Sequence, residues 1–307
     1  MVLRDLACKM VPAVVWVLFR RLRYSQATLF GSNEIAKEKV GVAWQRDWDV
    51  VEVVKRVAAN PPRLVRQDEQ GRSLWNTLAG DFWAPPGASA HYVTMLTVEI
   101  LSDTYHFAAQ DWNAPPIVFD CGANIGVFSR MALDRGAEKV ICCEPSPLTA
   151  ECLDLTFRAE IESGRLVVIR KGVWDRTETL RFSASNQANP GSHCVTDNNT
   201  PDAITIDVTT VDSLVAQLGL SHVDFIKMDI EGAEERALRG AQKTIRAFRP
   251  RLGVGTEHTA DIAANNARVI NTLREIDPTY RVVCTEVHAE RSPSLGLVLT
   301  PYSLSFQ

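Results

Sequence analysis

Glycines and carboxylates near the middle of the chain are spaced in a way that suits nucleoside binding. Residues 120–126 read DCGANIG and follow a short apolar run. Gly122 and Gly126 permit a tight turn from a strand into a helix, because a residue without a Cβ lets the backbone approach a ligand. Glu144 ends the next apolar run, about 20 residues after Gly122, where a carboxylate can accept hydrogen bonds from both hydroxyls of a ribose.

The same turn favours a cofactor that lacks phosphate groups. It has no third glycine of the G-x-G-x-x-G pattern typical of dinucleotide sites, and Asp120 stands at its mouth. A carboxylate about 5 Å from a phosphate costs on the order of 3 kcal/mol at an effective dielectric constant near 20. S-adenosylmethionine carries an ammonium and a sulfonium instead. We therefore expect this cofactor, bound by Asp120, Gly122, Asn124, Gly126, Glu144 and Asp229.

A third stretch places charged residues at the end of another buried strand. Residues 226–232 read IKMDIEG, and strand alternation puts Lys227 and Asp229 on the same side. A lysine inside a central strand is costly unless it is paired, so we expect Lys227 to meet a carboxylate or to reach into the cleft. Asp229 would orient the methionine end of the cofactor, the methyl acceptor, or both. Glu231 and Glu234 follow in the turn, where negative charge also suits a helix N-terminus.

His258 lies at the expected end of the next strand, in the sequence GTEH. A histidine there can accept the proton of an acceptor hydroxyl, although a lone histidine is more often structural. The candidate catalytic residues are Asp229, His258, Lys227 and Glu231. Asp229 with Glu257 or His258 is an alternative site for a divalent ion, but the spacing gives it no independent support, so we predict no metal.

These motifs resemble the FkbM family of class I methyltransferases. The resemblance covers residues 117–258 and rests on three segments, residues 118–126, 143–145 and 224–234. Cys121 stands where that family commonly has valine or isoleucine. The resemblance implies an S-adenosylmethionine-dependent O-methyltransferase that acts on a hydroxyl of a sugar, glycolipid, polyketide or other secondary metabolite. Residues 1–110 carry no motif of this kind.

Two other functions compete with this interpretation. A non-catalytic nucleotide-binding or assembly protein could retain the fold, although the intact set of candidate site residues argues against it. A nicotinamide-dependent oxidoreductase is the second alternative, and the acidic turn at residues 120–126 disfavours it.

The elements that position these residues alternate between strand and helix from residue 115 onward. We predict strands at residues 117–119, 140–143, 166–169, 223–228 and 252–256, with helices between them. This order predicts an α/β fold with a doubly wound, mostly parallel, Rossmann-like methyltransferase sheet. The last two strands, at residues 280–286 and 295–299, would form an antiparallel C-terminal edge.

The chain divides at the point where this alternation begins. Residues 113–307 are predicted to form the methyltransferase domain. Residues 1–112 are predicted to form a mainly helical region that supplies the acceptor cleft or a packing or anchoring surface. Residues 47–59 have helical spacing, and residues 80–89 suggest a loop or short hairpin.

Composition limits the partners and the compartment. The chain has 33 basic and 37 acidic residues, so its net charge of -4 gives no general attraction to nucleic acid. Its 7 cysteines are odd in number and contain no C-x-x-C pair, which indicates a reducing compartment. We therefore expect a cytoplasmic enzyme whose partner is a small-molecule or glycan acceptor and not nucleic acid. The oligomeric state is not predicted.

The N-terminal residues 1–24 are apolar at the centre and basic at both ends. Residues 10–19 are apolar but contain Pro12, whereas a bilayer span needs about 20 residues. We expect a helix that packs on the catalytic domain or on a second subunit. Peripheral membrane contact through residues 1–24 is the alternative.

Overall fold

The computed structural model describes residues 43–44, 50–108, 110–183, 194–195, 203–256, 262–292 and 296–307. Its strands are β1 Ala43–Trp44, β2 Arg63–Gln67, β3 Ser73–Thr77, β4 Gly80–Ala84, β5 Ile117–Cys121, β6 Lys139–Cys143, β7 Leu166–Ile169, β8 Gly172–Val173, β9 Glu178–Ser183, β10 Cys194–Val195, β11 Ala203–Thr209, β12 Phe225–Met228, β13 Arg251–Gly255, β14 Val282–Ser292 and β15 Gly296–Phe306. Its helices are α1 Val50–Ala59, α2 Ala90–Leu101, α3 Val127–Asp134, α4 Pro147–Thr156, α5 Arg158–Glu162, α6 Val211–Leu218, α7 Glu234–Gly240, α8 Gln242–Phe248 and α9 Ile262–Ile276.

The main sheet has the strand order β1-β14-β15-β13-β12-β5-β6-β7 within the described residues. Strands β13, β12, β5, β6 and β7 run parallel to their neighbours in that series, and β15 runs antiparallel to both β13 and β14. The predicted mostly parallel sheet with an antiparallel C-terminal edge is thus confirmed. The chain moves outward from β5 to β6 and β7 and later returns to β12 on the other side of β5. The carboxyl ends of β5, β6 and β12 therefore flank the point where ligands bind in open sheets of this kind.

Both faces of the sheet are covered by apolar packing, as a parallel sheet requires. Ile226 and Met228 face a cluster that includes side chains of α6, α7, α8 and α9. Phe225 faces the opposite cluster, which includes side chains of α2, α3 and α4. This alternation along β12 is the one predicted from the sequence. Cys142 and Cys143 are buried free thiols, as the apolar run around them predicts.

The N-terminal region contains α1, where helical spacing was predicted over residues 47–59, a second helix, α2, and a sheet that the sequence analysis did not predict. Strands β2, β3 and β4 form a three-stranded antiparallel sheet between α1 and α2. Strand β2 has no inward-facing residue, so its sequence lacks the alternation that predicts a strand. Tyr92 and Ile100 of α2 join the same apolar cluster as Val118 of β5. One core therefore extends across the predicted boundary at residues 112/113, and the boundary itself stays a prediction.

Two of the connections between strands each contain a pair of consecutive helices where the sequence analysis placed only helix. Helix α4 is followed directly by α5 between β6 and β7, and α7 is followed by α8 between β12 and β13. Gly240 is the last residue of α7, and a side chain does not fit there because a Cβ would lie 2.0 Å from the carbonyl oxygen of Trp174. Strands β8, β9, β10 and β11 pair in a smaller sheet of order β10-β9-β11-β8 within the described residues.

None of the helices within the described ranges is long and apolar enough to cross a membrane. The N-terminal segment of residues 1–24, for which helix packing or peripheral membrane contact was predicted, lies outside the described residues.

Candidate functional site

The turn after β5 is held tightly against its two neighbouring strands. The backbone N–H groups of Gly122 and Ala123 donate to the carbonyl of Cys143, at 3.0 and 3.1 Å. Gly122 has a positive φ of 77°, and a Cβ there would lie 2.0 Å from the carbonyl oxygen of Asp229. Both observations require glycine at this position. The turn is therefore fixed by the ends of β6 and β12 before any ligand is considered.

Gly126 is required for a different reason from the one expected. Its φ is 85°, and a Cβ there would lie 2.3 Å from the ring of Phe157. The missing side chain thus makes room for the packing of α3 against Phe157, which follows α4. From the sequence, both glycines were expected to let the backbone approach a ligand. For Gly126 the structure shows instead that the space of a side chain is taken by Phe157. The assignment of Gly126 to cofactor binding stays a prediction.

Glu144 is a buried carboxylate at the carboxyl end of β6. It is 6% exposed, its Oε2 accepts from the Asn124 N–H at 3.0 Å, and its Oε1 accepts from the Ser146 N–H at 2.8 Å. Burial raises the pKa of Glu144 to about 7, and the two backbone donors oppose that rise only in part. The predicted neighbourhood of Glu144 and the turn after β5 is present. A group with such a pKa changes its charge close to neutral pH.

Asn124 links this carboxylate to the N-terminal region. Its φ is 51°, a left-handed conformation that asparagine tolerates better than most residues. Its Oδ1 accepts from the backbone N–H of Ile125 and from the hydroxyl of Tyr92 in α2. Sequence reasoning missed Tyr92, because the contact joins residues 32 positions apart and Tyr92 belongs to no motif.

Asp120 and Lys227 form a buried ion pair between neighbouring strands. The Lys227 Nζ lies 3.2 Å from the Asp120 Oδ1 and donates to the carbonyl of Gly122 at 2.7 Å. Ser129 donates to the other oxygen of Asp120 at 2.6 Å. The predicted pairing of Lys227 with a carboxylate is therefore confirmed. Burial by itself lowers the pKa of Lys227, but the carboxylates of Asp120 and Asp229 outweigh this and raise it above its usual value.

The position of Asp120 differs from the expected one. Its side chain is fully buried, whereas the sequence analysis placed it at the mouth of the turn. The reason is that Asp120 still lies within β5 and is enclosed by Lys227 and Ser129. Its assignment as a cofactor-binding residue stays a prediction.

Asp229 lies directly after β12 and is partly exposed, with 24% of its side chain accessible. Its Oδ2 is 3.9 Å from the Lys227 Nζ and accepts from the Tyr105 hydroxyl at 2.9 Å. The same hydroxyl lies 2.9 Å from Oε1 of Glu99 in α2. Sequence reasoning placed Asp229 at this strand end but missed Tyr105 and Glu99, which carry no recognisable motif.

The two acidic residues after Asp229, Glu231 and Glu234, differ in burial and in hydrogen bonding. Glu231 is half-buried and has a positive φ of 58° in the turn before α7. Glu234 is fully buried, and its Oε1 accepts from the backbone N–H groups of Ile230 and Gly232, both at 3.2 Å. The structure therefore shows Glu234 capping the turn, which was one of its two expected roles. A catalytic role for Glu231 stays a prediction.

The remaining site prediction concerns the end of β13. Glu257 and His258 lie outside the described residues. In the part of the chain that the structure describes, no group of three or more His, Cys, Asp or Glu side chains is arranged to hold a metal ion. The described site therefore consists of the ends of β5, β6 and β12 together with α2 and the turn after it.

Comparison with known families connects this geometry to an enzyme class. Residues 120–281 match the family described as the Methyltransferase FkbM domain. The chain belongs to the FkbM methyltransferase family. The match includes the turn after β5, Glu144 and the segment around Asp229, so the resemblance expected from those residues is confirmed.

Individual relatives of this FkbM methyltransferase are distant. The hexuronic acid methyltransferase AglP of Haloferax volcanii is 24% identical over 145 residues, which are 47% of this chain and 58% of that protein. The chain thus spans little more than half the length of this curated relative.

Solved structures of similar fold are also distant in sequence. A methyltransferase FkbM from Methylobacillus flagellatus KT is 22% identical, with a TM-score of 0.46 over 71% of this chain and 53% of that one. A SAM-dependent methyltransferase from Agrobacterium tumefaciens is 12% identical, with a TM-score of 0.42 over 80% of this chain and 72% of that one.

Proposed function

We propose that the protein transfers a methyl group from S-adenosylmethionine to a hydroxyl oxygen of a sugar, glycolipid, polyketide or other secondary metabolite. Membership of the FkbM family supports methyl transfer. The use of this cofactor and the choice of an oxygen acceptor are the parts we infer. The observation that carries the inference is the buried carboxylate of Glu144 beside the turn after β5.

Glu144 retains the capacity to bind a ribose. A carboxylate has about four lone-pair positions, and the backbone N–H groups of Asn124 and Ser146 use two of them. Two positions are left for the two hydroxyls of a ribose. Because those backbone donors hold both oxygens in place, the carboxylate needs little rearrangement to accept a diol. The donor and acceptor set therefore fits a nucleoside.

The charges around the turn fit a cofactor without phosphates. Asp229 and Glu144 place carboxylates at two strand ends, while Asp120 is buried within β5 and paired with Lys227, which also lies 3.9 Å from Asp229 Oδ2. An anionic pyrophosphate would meet this negative charge, whereas an ammonium would be attracted by it. S-adenosylmethionine supplies a methyl group activated by a sulfonium. The protein's own contribution is to hold the acceptor oxygen close to that carbon and aligned with it.

Asp229 is the residue we place beside the reacting groups. Its carboxylate accepts a hydrogen bond from Tyr105 and 24% of its side chain is exposed, so it can orient the methionine end of the cofactor, the acceptor hydroxyl, or both. Lys227 and Glu231 are proposed to support it. His258 is proposed to accept the proton of the hydroxyl, with Glu257 as a comparable candidate.

The acceptor is proposed to bind against the N-terminal region. Helix α2 and the turn that follows it reach both ends of the site through Tyr92 and Tyr105. These two contacts support the proposal that residues of the N-terminal region line the acceptor side of the cleft. The name of the Haloferax volcanii relative makes a hexuronic acid the first acceptor to test.

Calorimetric titration of the full-length protein with S-adenosylmethionine and with NAD tests the cofactor assignment. We expect binding of S-adenosylmethionine and none of NAD, because the turn is acidic and lacks the glycine pattern of a pyrophosphate site. Binding of NAD in place of S-adenosylmethionine would show that the cofactor assignment is wrong.

A further inference from the structure

Tyr92 brings a hydroxyl group from the N-terminal region to the turn after β5. The residue lies in the first turn of α2, where its backbone N–H donates to the hydroxyl of Ser89 at 3.2 Å. Its side chain is 5% exposed and belongs to the apolar cluster that covers one face of the main sheet. The phenol hydroxyl contacts Oδ1 of Asn124. Tyr92 is therefore a well-fixed group of α2 that reaches the expected cofactor turn.

The direction of the hydrogen bond between Tyr92 and Asn124 follows from a third group. The backbone N–H of Ile125 lies 2.7 Å from the same atom of the Asn124 side chain, and a backbone N–H can only donate. That atom is therefore the oxygen of the amide and not its nitrogen. Tyr92 then donates its hydrogen to this oxygen. Burial raises the pKa of Tyr92 above its usual value, so the phenol keeps that hydrogen.

Two donors on one oxygen determine the orientation of the Asn124 amide. An amide oxygen has two lone pairs, and the groups that donate to it are Ile125 and Tyr92. The NH2 group of the same amide has no acceptor among the residues that the structure describes, and Asn124 is partly exposed. The NH2 group is therefore the part of the side chain that is left for a ligand.

Asn124 also carries one of the two backbone donors to Glu144. Its N–H lies 3.0 Å from Glu144 Oε2. The φ of Asn124 is 51°, in the left-handed region that residues other than glycine adopt at a cost. The hydrogen bond from Tyr92 to its side chain stabilises the residue in this conformation. Tyr92 thus acts both on the N–H that faces Glu144 and on the orientation of the Asn124 NH2 group.

We propose that Tyr92 is a positioning residue for the nucleoside half of S-adenosylmethionine, because it orients Asn124 beside Glu144. The turn then presents a donor, the Asn124 NH2 group, next to an acceptor, the Glu144 carboxylate. The ribose hydroxyls donate to Glu144, and the NH2 group donates to an acceptor atom of the same nucleoside. Tyr92 itself does not touch the cofactor. This role rests on the proposed function, since it needs a nucleoside at Glu144.

Calorimetric titration of the full-length protein with S-adenosylmethionine and with methylthioadenosine tests the role of Tyr92. Methylthioadenosine contains the nucleoside but lacks the amino-acid part of the cofactor. Tyr92→Phe keeps the ring and removes the hydroxyl. Because one hydrogen bond is lost, its affinity for both ligands should fall about fivefold. A folded Tyr92→Phe protein that binds either ligand as tightly as wild type would overturn the proposal.

Tyr280→Phe is the matched control for this substitution. Tyr280 is also 5% exposed, and its hydroxyl donates to the carbonyl of Pro250 at 2.7 Å. Pro250 directly precedes β13, so this contact lies at the opposite end of the sheet from the candidate site. The control removes a buried hydroxyl of the same kind and should bind both ligands as the wild-type protein does. An equal loss of affinity in the two variants would show a general effect of packing and would overturn the proposal.

A glycine variant of Asn124 shows whether Tyr92 acts through this residue. Asn124→Gly removes the amide, and glycine adopts a positive φ without strain. Tyr92→Phe should cause no further loss of affinity in this background, because the effects of two residues that act through one contact do not add. A loss of about fivefold from Tyr92→Phe in both backgrounds would show that Tyr92 acts by another route and would overturn the proposal.

The pKa of Glu144 in the protein without ligand gives a further readout. The charged and titratable side chains that act on this carboxylate are Asp120 from β5, Lys227 from β12 and Tyr92 from α2. The backbone N–H of Asn124 stabilises the ionised carboxylate and so lowers the pKa of Glu144. Loosening of that donor in Tyr92→Phe should therefore raise the pKa above the wild-type value of about 7.

Nuclear magnetic resonance of protein labelled with carbon-13 at the glutamate carboxyl groups measures this pKa. Glu144→Gln assigns the signal, because the variant lacks it. The Glu144 signal should titrate at higher pH in Tyr92→Phe than in wild type, and at the wild-type pH in Tyr280→Phe. An unchanged titration in Tyr92→Phe would show that Tyr92 does not fix the donor to Glu144 and would overturn the proposal.

The two kinds of measurement separate this role of Tyr92 from the proposed function. If the wild-type protein binds neither S-adenosylmethionine nor methylthioadenosine, the proposed function fails, and the titration of Glu144 still decides whether Tyr92 acts on this carboxylate. If the wild-type protein binds the cofactor and Tyr92→Phe changes neither the affinity nor the pKa of Glu144, the role of Tyr92 alone fails.

Discussion

Replacing Glu144 by glutamine should weaken cofactor binding and remove its dependence on pH. The ribose hydroxyls would donate to an ionised carboxylate, so the binding-competent form of Glu144 is the deprotonated one. Burial raises the pKa of this residue from 4.5 to about 7. Because the folded-state pKa is raised, the competent form dominates only above about pH 7, and affinity should fall as the pH drops below that value.

The magnitude follows from the titration. At a pH equal to the pKa half of the protein carries an ionised Glu144, and one pH unit lower about a tenth does, so the dissociation constant for S-adenosylmethionine should rise about fivefold between pH 7 and pH 6. Charge-assisted hydrogen bonds contribute about 1.5–3 kcal/mol each. Loss of the charge in Glu144→Gln should therefore weaken binding at alkaline pH by at least about tenfold.

Isothermal calorimetry at a series of pH values measures both effects. Glu162→Gln is the matched control, because it removes the same charge from an exposed position in α5. It should bind like the wild-type protein at every pH. A folded Glu144→Gln or Glu144→Ala variant that binds S-adenosylmethionine within about twofold of wild type at alkaline pH would refute the placement of the ribose.

Three further predictions concern the turn, metal dependence and the N-terminus. Gly122→Ala should prevent stable folding or cofactor binding in thermal-denaturation and calorimetric assays, because its Cβ would lie 2.0 Å from the Asp229 carbonyl oxygen. Gly164→Ala, at a similar positive φ with nothing within 4 Å of its Cβ, should cost only about 1 kcal/mol. Methyl transfer should survive exhaustive chelation by EDTA, and a loss that magnesium or manganese restores would contradict this. Removal of residues 1–24 should leave cofactor affinity unchanged, and high salt should release any membrane-bound fraction of the full-length protein, since the attraction would be electrostatic. Retention of the protein on membranes in high salt and carbonate would indicate insertion.

The strand–helix alternation of the second half of the chain was predictable because the apolar runs in its sequence are the segments that become buried strands. The apolar runs at β5, β6 and β12 are buried on both faces, and the run at β7, on the edge of the sheet, is partly buried, so a run of apolar residues was enough to predict each strand. Strand β2 was not predictable, because all of its residues are exposed and its polar and apolar residues follow no period.

The sequence predicted candidate site residues at the ends of apolar runs. The structure shows Asp229 and Glu144 directly after β12 and β6, as expected, and Lys227 was correctly expected to meet a carboxylate. Tyr105 was not found, because it lies 124 positions from Asp229 and its role depends on a tertiary contact. The need for glycine at position 126 could be explained only from the structure. The ring of Phe157, which occupies the space of a Cβ at this position, belongs to a residue that follows the next strand in the chain.

Transfer of an isotopically labelled methyl group from S-adenosylmethionine tests the central claim most directly. The full-length protein would be incubated with the labelled cofactor and either hexuronic-acid-containing glycans or an extract of the source organism, and the labelled product would be identified by mass spectrometry. Wild-type protein should place the label on an oxygen as a methyl ether. Asp229→Asn should lower the rate of transfer, whereas Glu162→Gln, at an exposed position, should leave that rate unchanged. Label transferred to carbon, nitrogen or sulfur would contradict the oxygen acceptor, and a protein that binds the cofactor but transfers no label to any acceptor in the extract would contradict the proposed enzyme.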